Sequence, residues 1–204
     1  MFTTNENKPS KPLGHVFIIS GPSGVGKDYI AGKLSELPEY PSLNFSIPKS
    51  YTTRARRSSD PDDSIYEFVS EEEFERLVDI DMLECTESHG HKYGTSKSGL
   101  SEIIVNGGNI LKILDKNGAR DIKKRFPKYT TTIYLKPPSL EVLGDRLSGR
   151  GSEDAAEYNR RMIDSLHELI DISDYDYVIT AGEDADVTVN ILLAIILGNT
   201  QARL

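Results

Sequence analysis

The sequence predicts an α/β fold, a parallel sheet flanked by helices and interrupted by an inserted lobe. Three observations lead there. The short apolar run Val16-Phe17-Ile18-Ile19 ends in a glycine-rich turn, a pattern that suits a strand buried on both faces of a parallel sheet. From Leu100 onward, apolar runs of strand length alternate with helical stretches. Between these parts, from about Phe45 to Gly99, the chain becomes charged and irregular, which reads as an insertion rather than more parallel sheet.

The elements follow in order. Residues 1–12 are polar, hold two prolines and lack the apolar centre of a signal peptide, so they read as a disordered tail before a domain over 13–204. After the first strand and its turn, Ile30, Leu34 and Leu37 recur at helical spacing and Pro38 closes the helix. In the lobe, Arg54, Arg56 and Arg57 precede an acidic turn, Asp60 to Asp63, and a short strand from Tyr66 to Val69. Ser70 and Glu73 form a capping box before Phe74, Leu77 and Val78, and Met82 to Glu87 reads as another strand. A helix then ends near Gly107-Gly108 and a strand runs from Ile110 to Leu114. A helix from Ala119 to Phe126 stops at Pro127, and Thr131 to Leu135 is a strand. Ser139 caps a helix from Leu140 to Leu147, and a long helix spans Glu153 to Ile172. A strand from Tyr177 to Ile179 and a final helix close the chain.

Composition narrows the function. At 204 residues the chain is one domain, or a core with small lobes. A formal charge of −8 argues against non-specific binding to nucleic acid or to an anionic membrane. The most apolar run, Val187 to Leu197 with Thr188 and Asn190 inside it, is too short to span a bilayer and reads as a buried helix. The lone cysteine, Cys85, rules out an intrachain disulfide and points to a reducing, cytoplasmic setting. It reads as a buried structural thiol. Monomer and homodimer both stay open.

The segment Gly21-Pro22-Ser23-Gly24-Val25-Gly26-Lys27 fits the pattern G-x-x-x-x-G-K between a strand and a helix. Its glycines let backbone N–H groups converge on phosphate oxygens, and the following helix turns its positive end to the same anion. Lys27 reaches the β and γ phosphates as a mobile point charge. The expected ATP-phosphate contacts are therefore Gly21, Ser23, Gly24, Val25, Gly26, Lys27 and Asp28, and the fold is expected to have a P-loop NTPase core. Asp28 stands where such loops usually carry Ser or Thr to ligate Mg²⁺. Either its carboxylate serves the metal, or it merely favours the helix N-terminus.

The loop, together with Tyr51-Thr52-Thr53-Arg54, Tyr66-Glu67-Phe68-Val69, Tyr93-Gly94-Thr95-Ser96 and Gly149-Arg150-Gly151, resembles the guanylate kinase family from about Val16 onward. The resemblance implies a P-loop core over 13–44 and 100–204, a nucleoside-monophosphate lobe over 45–99 and a helical lid near 146–162. It also implies ATP-dependent phosphorylation of GMP or dGMP, with Mg²⁺ as cofactor. Arg54 and Arg57 correspond to the pair holding the acceptor phosphate, and Tyr66 and Tyr93 donate hydroxyls to it. Glu84 corresponds to the carboxylate that accepts from guanine N1–H and its amino group, with Ser50, Thr95 and Asp115 at the remaining base contacts. A carboxylate there repels adenine, whose N1 is an acceptor. Arg146, Arg150 and Arg161 match lid arginines that, with Lys27 and Arg54, stabilise transition-state charge.

There are departures from the family pattern. The family carries acids at the positions of Ile113 and Asp115, and here the first is absent. A carboxylate lost at Ile113 and one gained at Asp28 are expected to be linked through Mg²⁺. Asp at position 28 also resembles ribose 1,5-bisphosphate phosphokinase, which needs no guanine pocket. A catalytically weak guanylate-kinase-like binding module is the third reading. His89-Gly90-His91 reads as a turn, not a metal pair, and the basic stretch Arg120, Lys123, Lys124, Arg125, Lys128 as a solvated helix face. Lys112 and Lys116 read either as phosphate contacts or as solvated lysines, and the second reading is preferred.

Overall fold

The computed structural model describes residues 13–56, 66–88, 90–148, 155–169 and 172–201. The expectations for the tail, the acidic turn, His89, Arg57, Arg150 and the side chain of Arg161 lie outside the described residues. Two four-stranded sheets organise the described chain.

The first sheet contains β1 (Val16–Ser20), β6 (Ile110–Ile113), β7 (Thr130–Lys136) and β8 (Tyr177–Thr180), all parallel, in the order β6-β1-β7-β8. Alternation along β1 feeds a hydrophobic core on each face. Phe17 and Ile19 pack with Ile30 and Leu34 of α1 (Lys27–Ser35) and with Leu192 and Ile196 of α7 (Ala185–Gln201). Val16 and Ile18 face the other way, onto Leu100 and Ile104 of α3 (Lys97–Val105) and Ile122 of α4 (Lys116–Arg125). The four residues of that run are fully buried, as their uninterrupted apolar character requires. The expected C-terminal helix is α7, and among the described residues no helix is long and apolar enough to cross a membrane.

The second sheet orders β2 (Ser50–Thr52), β3 (Tyr66–Phe68), β4 (Met82–Ser88) and β5 (His91–Ser96) as β3-β2-β5-β4. Only β2 and β3 run parallel; the other pairs are antiparallel. The helix α2 (Glu71–Asp81) precedes β4, and its Ser70 side chain accepts from the Glu73 N–H, as the capping box predicts. β2 and β5 had no sequence expectation. Three residues are too few to set a period, and His91-Lys92-Tyr93-Gly94-Thr95-Ser96 has no apolar alternation.

Two details differ from the sequence reading. Cys85 is exposed, not buried. It lies on β4, the outer strand of its sheet, where a residue has a pairing neighbour on one side only. The helices α5 (Leu140–Ser148) and α6 (Ala155–Leu169) form as expected, but the long helix ends before Ile172, which is not helical.

Candidate functional site: a phosphate loop beside a two-sheet cleft

The loop between β1 and α1 has the backbone an anion cradle needs. Gly21, Gly24 and Gly26 all have positive φ, at 147°, 82° and 101°. At Gly21 the space is also closed, since a Cβ there would lie 2.3 Å from the Leu135 carbonyl oxygen at the end of β7. The tight approach of loop to sheet therefore excludes any side chain. Val25 is buried and anchors the loop in the core. The Lys27 ammonium folds back over the loop and donates to the carbonyls of Gly21 (2.6 Å) and Pro22 (3.1 Å). Ser23 is half-buried, while Asp28 is exposed in the first turn of α1.

Arg146 of α5 joins this loop to the end of the core sheet. Its guanidinium donates to the Val25 carbonyl at 3.2 Å, to Ala181 at 3.4 Å and to Gly182 at 3.1 Å. The planar fork thus spans two separate turns of backbone. Ile113, where the family pattern has an acid, packs against the apolar cluster that contains Ile19 and Val25.

The second sheet gathers the expected acceptor residues. Ser50, Tyr66, Glu84, Tyr93 and Thr95 all line one cleft of about 440 Å³, closed on its far side by Leu111, Lys112, Ile113 and Leu114 of the core. An adjoining cleft of about 600 Å³ shares Glu84, Thr86, Ile113 and Leu114 with it and adds Asp115. Arg54 is 9% exposed, and its guanidinium lies over the rings of Phe68 (5.2 Å) and Tyr66 (5.8 Å). Tyr66 meets Tyr93 edge to face at 5.8 Å. The two rings flank the guanidinium and restrict its movement before any anion binds. Asp115 is exposed and caps α4, accepting from the Gly118 N–H at 2.8 Å.

Lys112 departs most from expectation. It does not project into solvent: its side chain is 17% exposed and that of Glu84 16%. The Lys112 ammonium stands 3.4 Å from Glu84 Oε1 and donates to Thr95 Oγ1, which in turn donates to Glu84. Burial pushes the ammonium below the usual lysine range, and the nearby carboxylate opposes that shift. Solvation was the wrong reading because β6 is the edge strand of the core sheet, and the second sheet folds over that edge.

Two further nodes had no sequence signal. Asp81, at the end of α2, accepts from Tyr51 (2.8 Å), the Ser96 hydroxyl (2.7 Å) and both the N–H and hydroxyl of Ser98 (2.8 and 2.9 Å). Burial opposes its ionisation, yet these hydrogen bonds outweigh it and hold the carboxyl below its ordinary value. The node ties β2, α2 and the start of α3 together just beyond Thr95. Lys123, expected on a solvated face, instead donates to Asp176 (2.8 Å) and to the Thr130 carbonyl (2.7 Å), while Arg120, Lys124, Arg125 and Lys128 are exposed.

Among the described residues no group of three His, Cys, Asp or Glu side chains forms a metal cage. Mg²⁺ at phosphotransfer sites is held by one or two carboxylates plus substrate phosphates, so the exposed carboxylate of Asp28 at the loop's end fits such an ion.

A guanylate kinase family model matches residues 14–197. The guanylate kinase of Symbiobacterium thermophilum is 35% identical over 93% of this chain and 87% of its own length. That of Corynebacterium efficiens is 37% identical over 92% and 97%. The crystal structure of guanylate kinase from Anaplasma phagocytophilum superposes with a TM-score of 0.64 at 28% identity, covering 93% of this chain and 88% of that one.

Proposed function

Because the chain belongs to the guanylate kinase family, we propose that it transfers the γ-phosphate of ATP to GMP, giving ADP and GDP. One observation carries the assignment of residues: five side chains expected to hold the acceptor line a single cleft between the two sheets. The family model and the curated relatives favour this reading over a sugar-bisphosphate kinase.

In this reading the backbone of Gly21 to Gly26 cradles the donor phosphates and Lys27 leaves its loop carbonyls for the β and γ oxygens. Arg54, with Arg57, Tyr66 and Tyr93, holds the acceptor phosphate in line with the donor. Glu84, Ser50, Thr95 and Asp115 read the base. Arg146, Arg150 and Arg161 supply positive charge for the loose transition state, in which charge spreads over peripheral oxygens. Catalysis is then positioning and charge stabilisation, with no covalent intermediate. When bound, Mg²⁺ neutralises charge on the donor phosphates, and Asp28 is the carboxylate that would hold it. The lone cysteine and the use of ATP suit the cytoplasm.

The test is ADP release from ATP and Mg²⁺ with GMP, dGMP, AMP, UMP or ribose 1,5-bisphosphate as acceptor. Acceleration by GMP or dGMP alone is the expected result. Turnover with the sugar alone, or silence despite tight GMP binding, would overturn it. Asp28→Ala is expected to raise the Mg²⁺ needed for half-maximal rate by about ten-fold, as loss of a charged ligand implies. An unchanged magnesium dependence would remove Asp28 from the metal site.

A further inference from the structure

The cation of Lys112 sits where a base would be read. It extends from the core's edge strand into the cleft that Ser50, Tyr66, Glu84 and Thr95 line together with the apolar residues Pro48, Leu111 and Leu114. An ammonium in such surroundings is costly unless partnered. Its protein partners are Glu84 and Thr95, two of the groups expected to contact the acceptor base. An ammonium has three N–H donors, and these two contacts engage two of them. The strand that lacks a carboxylate at Ile113 thus brings a positive charge to the neighbouring position, and this charge faces the acceptor cleft.

A donor beside an acceptor has a specific complement. The six-membered edge of a 6-oxopurine presents an acceptor oxygen at C6 next to a donor N1–H. Lys112 and Glu84 present the reverse pair, 3.4 Å apart. Adenine inverts both positions, with an amino donor at C6 facing the ammonium and a lone pair at N1 facing the carboxylate. Each mismatch sets donor against donor or acceptor against acceptor in a desolvated site, and two together reject adenine more strongly than Glu84 alone.

We propose that Lys112 is a specificity-determining residue that donates to the 6-oxo oxygen of the acceptor base while Glu84 accepts from N1–H. This rests on GMP being the acceptor. The ammonium reaches the base without leaving Glu84, so the pair stays neutral overall when the base arrives.

The experiment compares kcat/KM for GMP, 6-thioguanosine 5′-monophosphate and AMP in the native enzyme, Lys112→Met and Lys112→Gln. The native enzyme is expected to favour GMP over the 6-thio nucleotide, because sulfur is a weak acceptor. Lys112→Met is expected to lower kcat/KM for GMP by about 10- to 100-fold, the range for a hydrogen bond to a charged group. The loss appears chiefly in the acceptor KM, while the KM for ATP holds. The preferences for GMP over the 6-thio nucleotide and over AMP shrink together. Lys112→Gln, which keeps a donor without the charge, falls between the two. Equal losses with GMP and the 6-thio nucleotide, or an unchanged KM for GMP, would overturn the proposal. So would a native enzyme indifferent to sulfur at C6, a result that needs no variant to fold. A native enzyme silent with GMP removes the acceptor reading and this proposal together, whereas normal GMP turnover with an unaffected Lys112→Met removes this proposal alone.

Discussion

The loop at Gly21 to Lys27 and the cleft between the sheets both hold a nucleotide's polar groups, yet they are made of different material. The loop is backbone: three positive-φ glycines, a helix N-terminus and one lysine bound to its own carbonyls. The cleft is side chain: two tyrosines, a carboxylate, the hydroxyls of Ser50 and Thr95 and a half-buried lysine, drawn from two sheets, with Arg54 stacked on one of those tyrosines. Backbone groups carry no residue identity, so a loop of this kind is fixed by a few glycines and serves any triphosphate. Side chains can be exchanged one at a time, so the cleft is where the identity of the acceptor can change.

This contrast can be broken in four places. Lys27→Ala removes the one side chain the loop depends on, and a fall in kcat of about 10³-fold is expected, typical of losing a positioned transition-state charge. Steady-state ADP release measures it, with folding checked by thermal unfolding. Gly21→Ala tests the backbone half: with φ at 147° and Leu135 O 2.3 Å from the new Cβ, a loss of about 2–4 kcal/mol in stability is expected. Denaturant titration measures that loss, and an unperturbed midpoint would mean that the loop tolerates a side chain. Arg54→Lys keeps the charge but not the fork that lies over Phe68 and Tyr66. It is expected to lower kcat/KM for GMP by about 30-fold, with the KM for ATP unchanged. An equal effect on both substrates would mean that cleft and loop are not separable.

The smallest effect concerns Asp81, which supports the cleft without lining it. Its carboxyl titrates below the unfolded value in the native state, so it contributes stability at neutral pH that is lost as pH falls through the folded pKa. Asp81→Asn is expected to cost about 1–2 kcal/mol at pH 7, given four hydrogen bonds in a partly solvated site. It should also flatten the acid limb of the stability curve below about pH 4. Urea titrations at pH 7 and pH 3 measure both. A variant as acid-sensitive as the native protein would place the titrating group elsewhere.

The two regions were also unequally legible in the sequence. The core announced itself because buried parallel strands need uninterrupted apolar runs, and Val16 to Ile19 can be little else. The loop was legible for a similar reason, since few residues but glycine take its backbone angles. Glu84, Tyr66 and Tyr93 were found through family resemblance, because a lone carboxylate or tyrosine carries no local signal. β5 was missed because its residues alternate in role, not in polarity. Lys112 and Lys123 were misread together: a lysine's burial is decided by what packs over it, which no local window contains. Lys112 is covered by a sheet roughly twenty to sixty residues earlier in the chain, and Lys123 by Asp176 beyond β7.

Lys27, bound to the carbonyls of Gly21 and Pro22, also bears on the heat of nucleotide binding. A phosphate entering the loop exchanges existing hydrogen bonds for new ones. The enthalpy of that step is a difference between two charge-assisted contacts of similar kind. Calorimetric titration with ATP should therefore return less heat than the count of phosphate contacts suggests. The ammonium already lies against the loop the phosphates enter, so the loop holds its cation loaded at short range between turnovers.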